Sequence, residues 1–329
     1  MNEFGPTLAS ERVSLPVKGS SRLVGLMLLH CIPAGSDAAR SDLTMDNEYV
    51  RRLEKAKMKD AIERKRDMNL RKARQNAHAW GATEFEQLVL DGNPRAAVFD
   101  CDGTLWRGDA AFGFLTWSLE QGLVSRSTSD WIDDRHRAYR AGQVDELTIC
   151  GEMVQIYAGL QEQEIKAAAA SYFDEYVRPR YFTEIVALIG KLQASDVEIW
   201  AVSSTNRWVI AEGVGDFGIP AERILAAEVR IEDGVVTSSL IAVPTDEGKA
   251  EALRQVGLAR PDAVFGNSIH DLAMLEMARN PFPVNPSPAL FAAASERGWG
   301  YFMPSDADAD EAEVGGEQLP PRTSDPGSA

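Results

Sequence analysis

The sequence has few cysteines and no long apolar run. Three cysteines occur among its 329 residues, Cys31, Cys101 and Cys150, and their wide spacing forms neither a disulfide framework nor a zinc-binding pattern. The lack of paired cysteines favours a cytoplasmic protein. No apolar segment reaches the roughly 18 residues that a membrane-spanning helix requires. We therefore expect no transmembrane segment.

Basic residues are scarce relative to acidic ones. The chain has 34 Lys and Arg against 50 Asp and Glu, which gives a formal net charge of −16. Proteins that bind nucleic acids neutralise phosphates with clustered Lys and Arg, so this balance argues against a nucleic-acid partner. A small phosphorylated metabolite stays possible, because a pocket can be locally positive inside an acidic protein. The oligomeric state is left open.

The two ends of the chain differ from its middle. Residues 1–44 show no sustained period and predict a poorly ordered leader or a targeting segment. Residues 23–29 are apolar, so export through a weak N-terminal signal is the alternative to a cytoplasmic location. Residues 45–90 are predicted to form a basic N-terminal helix, because residues 45–79 are rich in helix formers and carry eleven Lys and Arg against six Asp and Glu. An Asp-, Glu-, Gly- and Pro-rich composition predicts a disordered acidic tail over residues 305–329.

Short apolar runs alternate with helical stretches in the middle of the chain. Continuous apolar runs are typical of parallel strands covered by helices, and they occur at residues 96–99, 197–202 and 262–265. Asp233-Gly234 predicts a hairpin turn within an alternating segment. Residues 281–285 predict a short edge strand, where proline is tolerated.

These elements predict an α/β fold with an insertion. The sheet is expected to be Rossmann-like and mainly parallel, formed by residues 91–105 and 197–304. The intervening residues 106–196 are too many for a simple crossover and show helical periodicity, so they predict an inserted helical cap.

Polar residues follow each predicted parallel strand. Because the carboxyl ends of parallel strands meet at one edge of a sheet, we expect these side chains to lie close together. A lysine also opens a helix near that edge. Phosphoryl transfer needs a nucleophile, a proton donor and groups that neutralise charge. The residues concerned are Asp100, Asp102, Ser203, Ser204, Lys249, Asn267 and Asp271.

The pattern resembles the haloacid-dehalogenase-type phosphohydrolases, more closely the phosphoserine phosphatase branch that has a helical cap. Residues 100–105 match the first motif of the family, Asp-x-Asp-Gly-Thr-Leu. Ser203 matches the second motif and Lys249, in a Gly-Lys pair, the third. Residues 266–271 match the fourth motif, except that Asn267 replaces the usual aspartate. The resemblance covers about residues 95–304.

The resemblance implies a phosphomonoester hydrolase. Asp100 would attack phosphorus and form an aspartyl-phosphate, and Asp102 would protonate the leaving oxygen and later deprotonate the hydrolytic water. Ser203 would donate a hydrogen bond to the phosphoryl group, and Lys249 would neutralise its charge. Two alternatives are a phosphotransferase or phosphomutase of the same fold, and a non-catalytic phosphate-binding regulatory protein with a weakened metal site.

The resemblance also implies ligands. Mg²⁺ would be held by Asp100, by Asp102 through its backbone carbonyl, and by Asn267, with Asp271 taking part directly or through water. Asn267 brings no charge, so metal affinity can fall. The residues implied to bind substrate are Gly103, Thr104, Asp109 and Ser204.

The substrate is left open between phosphoserine, phosphocholine and phosphoethanolamine. Asp109 matches the acidic position that grips the substrate amine in phosphoserine phosphatases. The arginine that those enzymes use for the serine carboxylate has no clear counterpart at Glu152 or Met153. Aromatic residues are frequent in the cap and are expected to be mostly core. Alternatively, they form an aromatic and acidic pocket for a cationic alcohol phosphate.

Overall fold

The computed structural model describes residues 51, 57–58 and 78–307. The chain divides into two compact units, residues 1–63 and residues 64–329. In the first unit, Arg51, Lys57 and Met58 are helical and exposed. The rest of the predicted leader, most of the predicted basic helix and residues 308–329 of the predicted tail lie outside the described residues. The division into a leader, a basic helix, a core, a cap and a tail therefore stays a prediction.

The described part of the second unit contains eight strands and ten α-helices. The strands are β1 (Ala79–Trp80), β2 (Ala96–Phe99), β3 (Glu198–Asn206), β4 (Ile224–Glu232), β5 (Val235–Ala242), β6 (Ala263–Gly266), β7 (Asn280–Pro283) and β8 (Tyr301–Phe302). The α-helices are α1 (Ala82–Asp91), α2 (Ala110–Glu120), α3 (Arg126–Arg140), α4 (Glu146–Gln155), α5 (Glu162–Tyr172), α6 (Thr183–Ala194), α7 (Arg207–Gly215), α8 (Glu247–Gln255), α9 (Leu272–Met277) and α10 (Pro288–Glu296). Within this part, no helix is long and apolar enough to cross a membrane.

A six-stranded sheet forms the centre of the fold. Its order is β5-β4-β3-β2-β6-β7, and all neighbours are parallel except the β4–β5 hairpin. The four residues of β2 are all buried apolar side chains, which is why this strand lies in the middle of the sheet. The predicted α/β fold is confirmed, as are the hairpin at Asp233-Gly234 and the edge strand β7.

The structure differs from the predicted basic helix at its C-terminal part. Residues 79–80 form strand β1, which pairs with β8, and a separate helix, α1, begins after Gly81. Phe85 and Val89, four residues apart, lie on one face of α1 and are buried. The Phe85 ring stacks on Phe302 with 4.3 Å between centroids. Burial of this apolar face packs residues 79–91 against the core. This packing, and not the basic composition of the preceding segment, determines their structure.

The inserted segment leaves and rejoins the core at adjacent points. Trp106 and Tyr181 form a β-bridge, and the Arg107 N–H donates to the Arg180 carbonyl at 3.0 Å. Helices α2 to α5 lie between these points. Residues 183–194, which were predicted as part of the cap, form α6, whose buried face includes Ile185 and Leu188.

The cap aromatics are largely core residues, as predicted. Four of them are buried: Trp106, Phe112, Phe114 and Tyr157. Trp131, by contrast, is 46% exposed.

Candidate active site

Asp100 lies directly after β2, at the carboxyl end of the strand. Its N–H donates to the Phe265 carbonyl at 2.9 Å, which continues the β2–β6 ladder and fixes its backbone. The Thr104 hydroxyl donates to Oδ2 of Asp100 at 2.8 Å, and Lys249 Nζ donates to Oδ1 at 2.7 Å. Asp100 is 4% exposed. Burial, followed by the nearby charge of Asp271, raises the pKa of Asp100 to about 7.

Lys249 joins two carboxylates that come from different loops. It lies in the first turn of α8, and its side chain is 3% exposed. Its Nζ donates to Asp100 Oδ1 and, at 2.5 Å, to Asp271 Oδ1. Burial alone would lower the pKa of Lys249, but the charges of Asp100 and Asp271 outweigh it and raise this pKa. The lysine is therefore a fixed cation beside the predicted nucleophile.

Asp271 anchors Lys249 and its own loop. Its Oδ2 accepts from the N–H groups of Asn267 and Ser268 at 2.9 and 2.8 Å, and its Oδ1 accepts from Lys249. Both oxygens are thus engaged and the residue is fully buried. A part for Asp271 in metal binding, directly or through water, stays a prediction; in the structure its carboxylate contacts the lysine and the loop backbone.

Asp102 is held by three donors. Its Oδ1 accepts from Trp106 Nε1 at 2.7 Å and from the Ala110 N–H at 2.8 Å, and its Oδ2 accepts from the Thr205 hydroxyl at 2.5 Å. Burial raises the pKa of Asp102, although these hydrogen bonds act in the opposite direction. A carboxyl group with a raised pKa and a fixed orientation is suited to general acid–base chemistry.

The two predicted serines lie in β3, the strand that pairs with β2. Ser203 is buried in β3, and its hydroxyl accepts from the Thr205 N–H at 3.1 Å. Ser204 lies next to it and lines the same cavity as Asp100. Thr205, whose hydroxyl binds Asp102, was not predicted from the sequence. Its position two residues beyond Ser203 could have indicated it, because alternate residues of a strand lie on the same face.

Gly103 allows Asn267 to approach the loop that follows Asp102. Gly103 has φ +73°, and a Cβ placed on it would lie 1.9 Å from Asn267 Nδ2. The Asn267 amide therefore lies against this loop. Within the described residues, no group of three or more His, Cys, Asp or Glu side chains could hold a metal ion. A metal site here would use the oxygens of Asp100, the Asp102 carbonyl and the Asn267 amide.

These residues open into one cavity of about 220 Å³ between the sheet edge and the inserted segment. The predicted residues that line it are Asp100, Asp102, Asp109, Ser203, Ser204, Lys249 and Asn267. Gly103, Thr104 and Asp271 do not line it. Asp109 also caps α2, since its side chain accepts from the Phe112 N–H at 2.9 Å.

Several residues of the inserted segment that line the cavity were not predicted from the sequence. His136 and Tyr139 come from α3, and Glu146 and Cys150 come from α4. From the core side, His270 contributes, and its Nδ1 donates to Asp246 Oδ1 at 2.8 Å. The helical periodicity of residues 106–196 predicted a helical cap, but it did not indicate which helix ends would cover the sheet edge.

Comparison with known proteins identifies the family. The model of the haloacid dehalogenase-like hydrolases matches residues 97–276, more than half of the chain. The chain belongs to this family. The predicted resemblance is thereby confirmed, and so is the prediction that the protein is an enzyme of the hydrolase class.

Several relatives carry phosphatase names. A histidinol-phosphatase from Neisseria meningitidis serogroup C is 26% identical over 214 residues, which cover 62% of this chain and 96% of that protein. A probable phosphatase from Mycobacterium tuberculosis is 26% identical over 215 residues, with 62% and 73% coverage. A solved structure of a protein of unknown function from Bordetella pertussis Tohama I has a TM-score of 0.58 at 23% identity, covering 64% of this chain and 98% of that one. It shares the fold.

Proposed function

We propose that the protein is a Mg²⁺-dependent phosphomonoesterase that acts on a small phosphorylated metabolite through an aspartyl-phosphate on Asp100. The observation that carries the proposal is the placement of Asp100. It is a buried carboxylate at a strand end, held by Lys249 and Thr104, and it lines the same cavity as Asp102.

The two aspartates divide the chemistry. An oxygen of Asp100 attacks phosphorus, and the bond from phosphorus to the ester oxygen breaks as the aspartyl-phosphate forms. Asp102 gives its proton to that departing oxygen, which leaves as the alcohol. In the second step, Asp102 removes a proton from water while the water oxygen attacks phosphorus. Inorganic phosphate leaves, and the Asp100 carboxylate is restored. The three donors on Asp102 hold it in place for both transfers.

The charged groups of the site suit a phosphoryl group. Lys249 offers a positive charge next to Asp100, and the Ser203 hydroxyl lines the cavity beside it. Mg²⁺ prefers oxygen ligands, and the Asp100 carboxylate, the Asp102 carbonyl and the Asn267 amide oxygen would supply them. The bound ion would neutralise charge on the phosphoryl oxygens.

Three properties of the cavity bear on the substrate. It is small, it is acidic on the side of the inserted segment, and no arginine lines it among the described residues. The absence of an arginine there disfavours phosphoserine, which carries a carboxylate, relative to phosphocholine and phosphoethanolamine. Two relatives are named for amine-bearing substrates, histidinol-phosphatase and a phosphoserine phosphatase of Mycobacterium tuberculosis that is 23% identical. Histidinol phosphate, which lacks a carboxylate, joins the candidates.

The test is hydrolysis of a generic aryl phosphate at millimolar Mg²⁺. We expect wild-type turnover, its loss on chelation of the metal, and a loss of at least about a thousandfold in kcat for Asp100→Asn. Asp130→Asn is the matched control, because it makes the same change at an exposed position of α3.

Other outcomes would identify the alternatives. No wild-type hydrolysis, with no effect of Asp100→Asn, would point to a non-catalytic phosphate-binding protein. Phosphoryl transfer to an added alcohol in place of water would point to a phosphotransferase or phosphomutase.

A further inference from the structure

The part of the cavity wall that the inserted segment supplies carries two acidic side chains. Asp109 and Glu146 line it from the inserted segment, and the described lining residues of that segment include no Lys or Arg. Lys249, on the sheet side, is already bound to two carboxylates. We propose that Glu146 is a specificity-determining residue that binds a cationic group on the leaving alcohol of the substrate. This inference rests on the proposed phosphomonoesterase function.

Burial and, next, an interaction with the Glu146 carboxylate raise the pKa of the nearby Tyr139 hydroxyl. Even so, Glu146 has one carboxylate oxygen with no hydrogen bond of regular geometry. Its side chain is 16% exposed, and its Oε2 is buried with no hydrogen-bond partner. Its Oε1 accepts from the Cys150 thiol at 3.5 Å. A buried carboxylate oxygen that lacks a donor costs free energy, and an ammonium or imidazolium group would remove that cost.

His270 does not satisfy this oxygen. Its Nε2 lies 3.7 Å from Glu146 Oε2, which is too long for a hydrogen bond. Its other ring nitrogen, Nδ1, is bound to Asp246 at 2.8 Å. His270 therefore forms at most an ion pair with Glu146, when its ring is protonated, and leaves the hydrogen-bonding position of Oε2 open.

The surroundings of Glu146 also fit a cation with an organic body. Tyr139, Ile149, Cys150 and Met153 line the same wall. Aromatic faces attract cations, and sulfur-containing side chains adapt to ligands of different shape. The wall thus combines negative charge with soft apolar contacts.

A carboxylate on the leaving group would find no partner on this wall. Arg135, on α3, binds both oxygens of Glu152 at 2.7–3.0 Å and does not line the cavity. A substrate carboxylate would instead face Asp109 and Glu146. The geometry therefore favours the phosphomonoester of an amino alcohol that has a cation and no carboxylate.

The test compares three substrates that differ in one group. Phosphoethanolamine has an ammonium where 2-hydroxyethyl phosphate has a hydroxyl, and phosphoserine adds a carboxylate to phosphoethanolamine. We expect wild-type kcat/KM to be highest for phosphoethanolamine. In Glu146→Gln, the preference for phosphoethanolamine over 2-hydroxyethyl phosphate should fall about tenfold to a hundredfold, the range for a hydrogen bond between charged groups. Glu146→Asp should keep part of the preference. Glu164→Gln, the same change at an exposed position of α5, should keep all of it.

Each other outcome overturns the inference. An equal loss on all three substrates in Glu146→Gln would mean that Glu146 only supports the contact with His270. A wild-type preference for phosphoserine would contradict the exclusion of a carboxylate. Turnover of 2-hydroxyethyl phosphate by the wild type, with no preference for the amine, would refute the inference while leaving the phosphomonoesterase intact. Failure of all phosphate esters in the wild type would refute both.

Discussion

Replacing Asp100 by asparagine is expected to stabilise the metal-free protein while it removes activity. The buried site contains the carboxylates of Asp100 and Asp271 and one cation, Lys249. Burial and the Asp271 charge make ionisation of Asp100 unfavourable in the folded state. The substitution removes this excess charge, because asparagine has almost the same shape as aspartate but is neutral. Lys249 then forms an ion pair with Asp271 alone.

The magnitude and its pH dependence follow from the raised pKa. The folded-state pKa of Asp100 is about 7, against 3.8 for the free side chain. Because this pKa is raised, the contribution of Asp100 to the free energy of unfolding of the wild type is fully present below the unfolded-state pKa. It is lost as pH rises through the folded-state pKa. At about 1.4 kcal/mol per pH unit, the cost of ionisation reaches about 4 kcal/mol at pH 8. In the variant, Lys249 donates to a neutral amide oxygen in place of a carboxylate, which is a weaker hydrogen bond, so we expect a net gain of about 1–3 kcal/mol.

The assay is urea denaturation of wild type and Asp100→Asn in the presence of a chelator, at pH 4.5 and pH 8. The stability difference should be small at pH 4.5 and should favour the variant at pH 8. Asp130→Asn, at an exposed position, should show no such change between the two pH values. An Asp100→Asn variant that is less stable than wild type at pH 8 would refute the reasoning.

Three further substitutions test the supporting geometry. Gly103→Ala should cost about 1–2 kcal/mol and at least about tenfold in kcat, because it strains a backbone at positive φ and displaces Asn267; thermal unfolding and steady-state kinetics measure both. Thr205→Val should lower kcat about tenfold and move the alkaline limb of the pH–rate profile to higher pH. The reason is that the Thr205 hydrogen bond lowers the pKa of Asp102. An alkaline limb at the same pH as in the wild type would contradict this. Asp262→Asn should destabilise the protein by about 1–2 kcal/mol at pH 7, and the difference should vanish as pH falls. The reason is that two backbone donors outweigh the burial of Asp262 and lower its pKa below the usual range. Urea denaturation of both proteins from pH 7 to pH 3 measures the stability difference.

The core side of the candidate site was predictable because most of it lies at the carboxyl ends of strands. Asp100, Ser203 and Asn267 are far apart in the sequence, but the parallel order of β3, β2 and β6 brings them to one edge of the sheet. The apolar runs predicted those strands, and the turn residues Asp233-Gly234 predicted the hairpin. Each of these features is encoded by local pattern.

The substrate side was not predictable in the same way. Glu146 and Tyr139 reach the cavity because of how α3 and α4 pack over the sheet edge, and no periodicity in the sequence specifies that packing. The role of Asp271 was also hidden. A carboxylate four residues after Asn267 can bind a metal or cap its own loop, and its contact with Lys249 depends on a residue far away in the sequence.

Asp100 is expected to carry the phosphoryl group of the covalent intermediate. Asp102→Asn should slow hydrolysis of the intermediate, because the base that activates water is lost. With an activated aryl phosphate as substrate, rapid acid quench and peptide mass spectrometry of this variant should find one phosphoryl group on the peptide that contains Asp100. A quenched enzyme that carries no phosphoryl group during the first turnover, or carries it on another residue, would contradict the account.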